Sequence, residues 1–141
     1  MKRITIINGA NLNLLGVREP GIYGNKDFNT FLEELKLAYL NVQIDYFQSN
    51  VEGEIINFLQ ENGFNSDGII LNAGGYTHTS IAIADAVAAI KSPVVEVHIS
   101  NILAREEERK TSLISKNCKG IISGLGLEGY ELALIWFLKK K

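Results

Sequence analysis

The stretch GIILNAGGYTHTSIAIADAVAAIKSPVVEVHIS, residues 68–100, holds two short aliphatic runs, at 68–72 and 94–99, joined by an Ala- and Ile-rich stretch over 81–90. The runs have the length of buried strands. The stretch between them is apolar on most sides, as expected of a helix held between a sheet and a neighbouring element. Thr79 and Ser80 open that helix and Pro93 ends it before the next strand.

The same rhythm extends outward in both directions. Residues 3–8, Val42–Gln48 and Gly120–Ser123 read as three further strands. Phe28, Phe31, Leu32, Leu35 and Tyr39 repeat at helical spacing, and Thr30 with Glu33 predicts a capping box. Ser49 and Glu52 give a similar signal for a second helix that stops at Gly63. A short charged helix is expected over 104–110, and a last one over 127–138. The latter has an apolar end, Leu134-Ile135-Trp136-Phe137-Leu138, suited to core or subunit contact.

Strands alternating with helices specify an α/β protein, and five of each in 141 residues predict one domain over 1–141. The expected architecture is a flavodoxin-like three-layer sandwich around a five-stranded parallel sheet of order 2-1-3-4-5. In that order strands 1 and 3 lie side by side where the chain reverses direction, and ligands bind there, outside the carboxyl ends of the strands. The polar residues cluster at those ends: Asn8, Asn11 and Asn13; Asn72 and Tyr76-Thr77-His78-Thr79; His98, Ser100 and Asn101. Segment 9–26 is long for a strand-to-helix connection, and its part near 16–26 is expected to act as a lid.

A formal charge of -2 leaves no basic surplus for a phosphate backbone, so nucleic acid is not an expected partner. The first apolar run is too short for a signal peptide or a membrane span, which predicts a soluble cytoplasmic protein with no membrane partner. Cys118, the single cysteine, reads as structural.

Glu96 and His98 are two apart on a predicted strand, so both side chains leave one face and can touch. A carboxylate beside an imidazole fixes its tautomer and suits it to act as a general acid. The same spacing equally describes a buried polar pair that closes the strand. The other histidine, His78, also lies at a strand end. Neither has a second ligand at metal-site spacing, so no metal is expected.

Tyr23 sits in the long first loop with Arg18. The usual role of a loop tyrosine is a hydrophobic latch with a wet hydroxyl. The alternative is a base: bringing a phenol of pKa ~10 near 8 takes about 2.7 kcal/mol of cation stabilisation, which Arg18 and Arg105 together would supply. Thr77-His78-Thr79-Ser80 at a helix start favours either an anion or ordinary capping. Asn72 and Arg109 would complete a carboxylate or hydroxyl clamp, although the run 105–110 has equally the pattern of a solvated helix face. Gly124-Leu125-Gly126-Leu127-Glu128-Gly129 formally matches a dinucleotide fingerprint, but at the last strand it has no second half-fold and is a chance match.

Taken in order, Asn8-Gly9-Ala10-Asn11-Leu12-Asn13-Leu14-Leu15-Gly16, Arg18-Glu19-Pro20, Tyr23-Gly24, Gln48-Ser49-Asn50, Tyr76-Thr77-His78-Thr79-Ser80, Glu96-Val97-His98-Ile99-Ser100-Asn101, Arg105-Glu106-Glu107 and Gly129-Tyr130 resemble the type II 3-dehydroquinate dehydratases over nearly the whole chain. The resemblance implies a lyase that dehydrates 3-dehydroquinate in the shikimate pathway, on the route to chorismate and the aromatic amino acids. It implies Tyr23 as base, activated by Arg18, and His98 as acid, oriented by Glu96. Asn13 would hold a water on the enolate oxygen. Substrate contacts would fall to Asn72, His78, Ile99, Ser100 and Arg109, with Asp85 reaching a neighbouring subunit's site. It also implies no metal, no cofactor and a homododecamer built as a tetramer of trimers. Ala10, Ala73, Ala84 and Glu108 depart from the family's usual residues. The rival reading is a noncatalytic flavodoxin-like module that binds a small anion or a partner protein through the same loops.

Overall fold

The computed structural model describes residues 1–16 and 26–140. The strands are β1 (Lys2–Asn8), β2 (Val42–Gln48), β3 (Gly68–Asn72), β4 (Val94–His98) and β5 (Gly120–Ser123), and the α-helices are α1 (Phe28–Ala38), α2 (Glu52–Asn62), α3 (Ile81–Ala89) and α4 (Glu128–Lys139). The sheet is wholly parallel with the order β2-β1-β3-β4-β5, as the alternation predicts.

Side-chain alternation along the strands sorts the core into two faces. Ile4, Ile6, Ile70, Val95 and Val97 pack with residues of α1 and α4, including Phe28, Phe31, Tyr130 and Phe137. Ile7, Ile69, Leu71 and Val94 pack against Ile55 and Leu59 of α2 and Ile83, Ala84, Ala86 and Val87 of α3. Every residue of β3 and β4 is buried, whereas edge strand β5 is partly exposed. Full burial of both faces is why the central strands read as continuous apolar runs. Parity also assigns the polar strand ends. Asn8 and Asn72 follow Ile6 and Ile70 onto the α1/α4 face, while Glu96 and His98 follow Val94 onto the α2/α3 face.

The loops after β1 and β3 touch closely. Gly9 donates its N–H to the Asn72 carbonyl at 2.7 Å, and a Cβ on Gly9 would stand 2.3 Å from the Ala73 carbonyl oxygen. Only a residue without a side chain permits that approach, which brings the two loops together at the switch point.

Several local expectations are corrected. The cap of α1 is Asp27, whose carboxylate accepts from the Thr30 N–H at 2.7 Å, so Thr30 lies inside the helix and no Thr30–Glu33 box forms. Ser49 accepts from the Val51 N–H at 2.9 Å and donates to Glu54, not Glu52, while the expected stop of α2 at Gly63 is observed. The Thr77–Thr79 segment does not begin α3: Gly74–His78 forms a separate 3-10 turn, and Ser80 caps α3 through the Ile83 N–H at 2.9 Å. The helix expected over 104–110 is instead two 3-10 turns, Ile102–Ala104 and Glu107–Arg109. Arg105 and Glu106 between them are extended, because the side chain of Asn101 already closes the first turn on the Leu103 N–H.

Candidate active site

A cleft of about 70 Å³ opens at the carboxyl ends of β1, β3 and β4. Its walls include Asn72, His78, His98, Ile99, Ser100, Arg105 and Arg109, so seven residues singled out in the sequence share one depression. Ala10, Asn11, Leu12, Gly74, Gly75 and Ile102 complete it. Tyr23 and Arg18 lie outside the described residues, as does most of the segment expected to form a lid.

His98 ends β4 and is 5% exposed; Glu96, one strand repeat earlier, is 1% exposed. The His98 Nε2 and the Glu96 carboxylate are hydrogen-bonded. An ionised carboxylate only accepts, so Nε2 carries a proton and Nδ1 is the ring nitrogen left for the cleft. The second Glu96 oxygen accepts from Ser115 Oγ at 2.6 Å and from Ser112 Oγ at 3.1 Å. Burial by itself raises the pKa of this carboxyl, but the hydrogen bonds from His98 and Ser115, the charge on His98 and the bond from Ser112 outweigh it and hold it below the ordinary value. Glu96 is therefore the anion of the pair.

His78 faces His98 with ring centroids 6.3 Å apart. Its Nδ1 donates to the Thr111 carbonyl at 2.8 Å, since a carbonyl has no proton to give. In the neutral ring Nε2 is then an acceptor. The backbone donors expected to make an anion site beside His78 are spent locally, with the N–H groups of Thr79 and Ser80 both directed at the Tyr76 carbonyl.

Asn72 is fixed from both ends of its amide. Its Nδ2 donates to the Tyr130 hydroxyl at 2.9 Å and its Oδ1 accepts from the Gly74 N–H at 3.1 Å. Tyr130, fully buried on α4, donates in turn to Asn8 Oδ1 at 2.7 Å, and Asn8 Nδ2 reaches the Tyr46 hydroxyl at 3.2 Å. Burial drives the pKa of both phenols up, so both stay neutral. Sequence reasoning gave no role to Tyr130 beneath Asn72, quoted only within a family motif, or to the serines beneath Glu96. Tyr130 falls on the inward face of an apolar helix, where an aromatic reads simply as core.

Arg109 lines the cleft and also makes an i,i+3 ion pair with Glu106. Arg105 reaches Ser100 Oγ at 3.5 Å and lies 3.9 Å from Glu106. Asn13 is exposed on the 3-10 turn after β1 and borders an adjacent depression with Leu12, Asp27, Tyr46 and Gln48 rather than the main cleft. Asp85 is exposed on the outer side of α3 and does not line the cleft. Cys118 packs against the α2/α3 core. Among the described residues no cluster of three or more His, Cys, Asp or Glu side chains is placed to hold a metal, and no helix is long and apolar enough to cross a membrane.

The family model for dehydroquinase class II matches residues 2–138. A protein of Campylobacter jejuni subsp. jejuni serotype O:23/36, named 3-dehydroquinate dehydratase, is 53% identical over 139 residues, covering 97% of this chain and 87% of its own. The crystal structure of the type II dehydroquinase from Butyrivibrio crossotus superposes with a TM-score of 0.94 at 43% identity, covering 98% of each chain. That from Propionibacterium acnes gives 0.95 at 38% identity, covering 99% of this chain and 98% of its own.

Proposed function

The chain belongs to the dehydroquinase class II family and is an enzyme of that class, and we propose that it removes water from 3-dehydroquinate through an enolate, with Tyr23 as base and His98 as acid. The observation that carries this reading is the cleft itself, which gathers His98, His78, Asn72, Ile99, Ser100 and Arg109 at the switch point of the sheet.

In the first step the Tyr23 phenolate, held as an anion by Arg18, takes a proton from the carbon beside the ketone. The electron pair moves onto the ketone oxygen, where a water held by Asn13 meets the developing charge. In the second step the enolate collapses, the bond to the hydroxyl at the next carbon breaks, and His98 delivers the proton that makes it water. Nε2–H is committed to the buried Glu96 carboxylate, so the transferred proton leaves from Nδ1. Asn72, His78 and the backbone at Ile99 and Ser100 receive the substrate's hydroxyls and carboxylate, with Arg109 as the cation and Arg105 in support.

The same reading assigns the enzyme to the shikimate pathway and, on family resemblance, proposes a cytoplasmic homododecamer, a tetramer of trimers. The exposed Asp85 on α3 suits a residue that reaches a neighbouring subunit's site.

Purified protein given 3-dehydroquinate, with no metal or cofactor added, is expected to produce a conjugated enone that absorbs in the near ultraviolet. A folded sample without turnover overturns the proposal.

A further inference from the structure

The segment 111–115 between the Glu107–Arg109 turn and β5 touches both histidines through different atoms. The Thr111 carbonyl receives Nδ1 of His78, while the hydroxyls of Ser112 and Ser115 converge on one oxygen of Glu96, whose other oxygen holds His98. The segment is anchored at its own ends. The Leu113 N–H donates to the Thr77 carbonyl at 2.9 Å, and Ile114 is fully buried in the α2/α3 core.

Resting on the reading of His98 as the acid, we propose that Ser112 and Ser115 are positioning residues of the site: they commit one oxygen of Glu96, leave the other to His98 alone, and so fix the tautomer and tilt of the proton donor.

The carboxylate has few other ways to be held. Its neighbours across the sheet are Leu71 on β3 and Ile121 on β5, and the helices packed on this face turn apolar residues inward, Ile55 and Leu59 from α2 and Ile83, Ala84, Ala86 and Val87 from α3. The titratable groups acting on it are His98 on its own strand and Cys118 ahead of β5, and the thiol stays neutral. Without the serine hydroxyls one carboxylate oxygen would be buried without a donor. The side chain would then turn both oxygens toward His98 or take up a proton, and either change releases the imidazole from its single orientation.

The two serines differ in a way that makes the test clean. Ser112 Oγ also accepts from the N–H groups of Ile114 and Ser115, both at 3.2 Å, so its removal disturbs the turn. Ser115 Oγ is hydrogen-bonded to Glu96 and is only partly buried. Ser115→Ala is therefore the main variant, and Ser115→Thr, which keeps the hydroxyl, is its rescue.

For Ser115→Ala, kcat is expected to fall about tenfold with KM nearly unchanged. The low-pH limb of kcat should move to higher pH, because Glu96 accepts a proton more readily once a donor is gone. The 15N signals of the His98 ring should shift toward a mixture of tautomers. Ser115→Thr should return all three to the parent values. A merely structural serine would lower the folded fraction and leave the pH limb and ring signals of the folded protein unmoved. Parent kcat, parent pH limb and parent ring signals in folded Ser115→Ala overturn the proposal. Full turnover in His98→Ala would instead sink the acid assignment on which it rests, while the ring signals still decide whether the serines hold the imidazole.

Discussion

His78 and His98 stand with ring centroids 6.3 Å apart and planes 26° from parallel, and among the described residues only His98 is hydrogen-bonded to a carboxylate. His78 is tied to a backbone carbonyl, which orients a ring without favouring its charge. One ring is thus set against a buried anion and the other against a neutral carbonyl. The proposed division between His98 as proton donor and His78 as substrate contact follows that difference.

Removing either proposed proton carrier tests that division. General acid or base groups typically contribute about 10²–10⁴-fold, so His98→Ala and Tyr23→Phe should each lose turnover on that scale. Equilibrium binding of a substrate analogue should stay measurable in both. Steady-state kinetics with a parallel binding titration checks it, and full activity in either variant removes that residue from its role.

Glu96 carries a pH signature. Its carboxyl is held below the ordinary value near 4.5, so its ionised form stabilises the fold above that pH, and this contribution is lost as pH falls through the lower folded value. Glu96→Gln should therefore be less stable than the parent at neutral pH, with the gap closing in acid. Denaturant titrations at pH 7 and below pH ~4 measure the two differences, and a gap independent of pH contradicts the assignment of charge.

Tyr130→Phe takes away one hydroxyl shared by two amides. Asn8 loses a donor at 2.7 Å and Asn72 an acceptor at 2.9 Å, both in buried surroundings. A cost of about 1–3 kcal/mol in unfolding free energy is expected. Because Asn72 also lines the cleft, KM should rise more than kcat falls. An unchanged KM would mean that the rest of the loop holds Asn72 unaided.

Gly9→Ala should destabilise the fold and the cleft together. Its Cβ would overlap the backbone of Ala73, at 2.3 Å from the carbonyl oxygen and 2.5 Å from the carbonyl carbon, and neither atom can rotate away. Separation of the loops after β1 and β3 should appear as a lower melting temperature and weaker substrate binding. Gly53→Ala, with nothing within 4 Å of the added carbon, is the matched control.

Cys118 should resist thiol reagents. Burial first, and then the negative charge of Glu96, push its thiol up to about 12. At pH 8 only about one thiol in ten thousand is then ionised, and the thiolate is the reactive form. Reaction with an aromatic disulfide should be slow in the native protein and become rapid in denaturant.

The strands were legible because each central one is buried on both faces, which leaves an unbroken apolar run that few other structures explain. Edge strand β5, short and half exposed, was still marked by Ile121 and Ile122 between glycines. Segment 104–110 was misread because its charge spacing suits a helix, whereas Asn101 closes a tighter turn and leaves Arg105 extended. The Thr30–Glu33 box failed for a similar reason: Asp27, three residues earlier, captures the Thr30 N–H first.

Sequence alone determined the parallel order of the sheet, the end at which the polar residues gather, and the Glu96–His98 contact, because strand periodicity fixes which side chains share a face. Tertiary structure decided what stands behind those residues. That Ser112 and Ser115 close on Glu96 across 16 and 19 residues, and that Tyr130 reaches back 122 residues to Asn8 and 58 to Asn72, follows from no local period. Such contacts arise only when the crossovers fold helix and loop onto the sheet, where a buried polar atom must find whichever partner the packing brings to it.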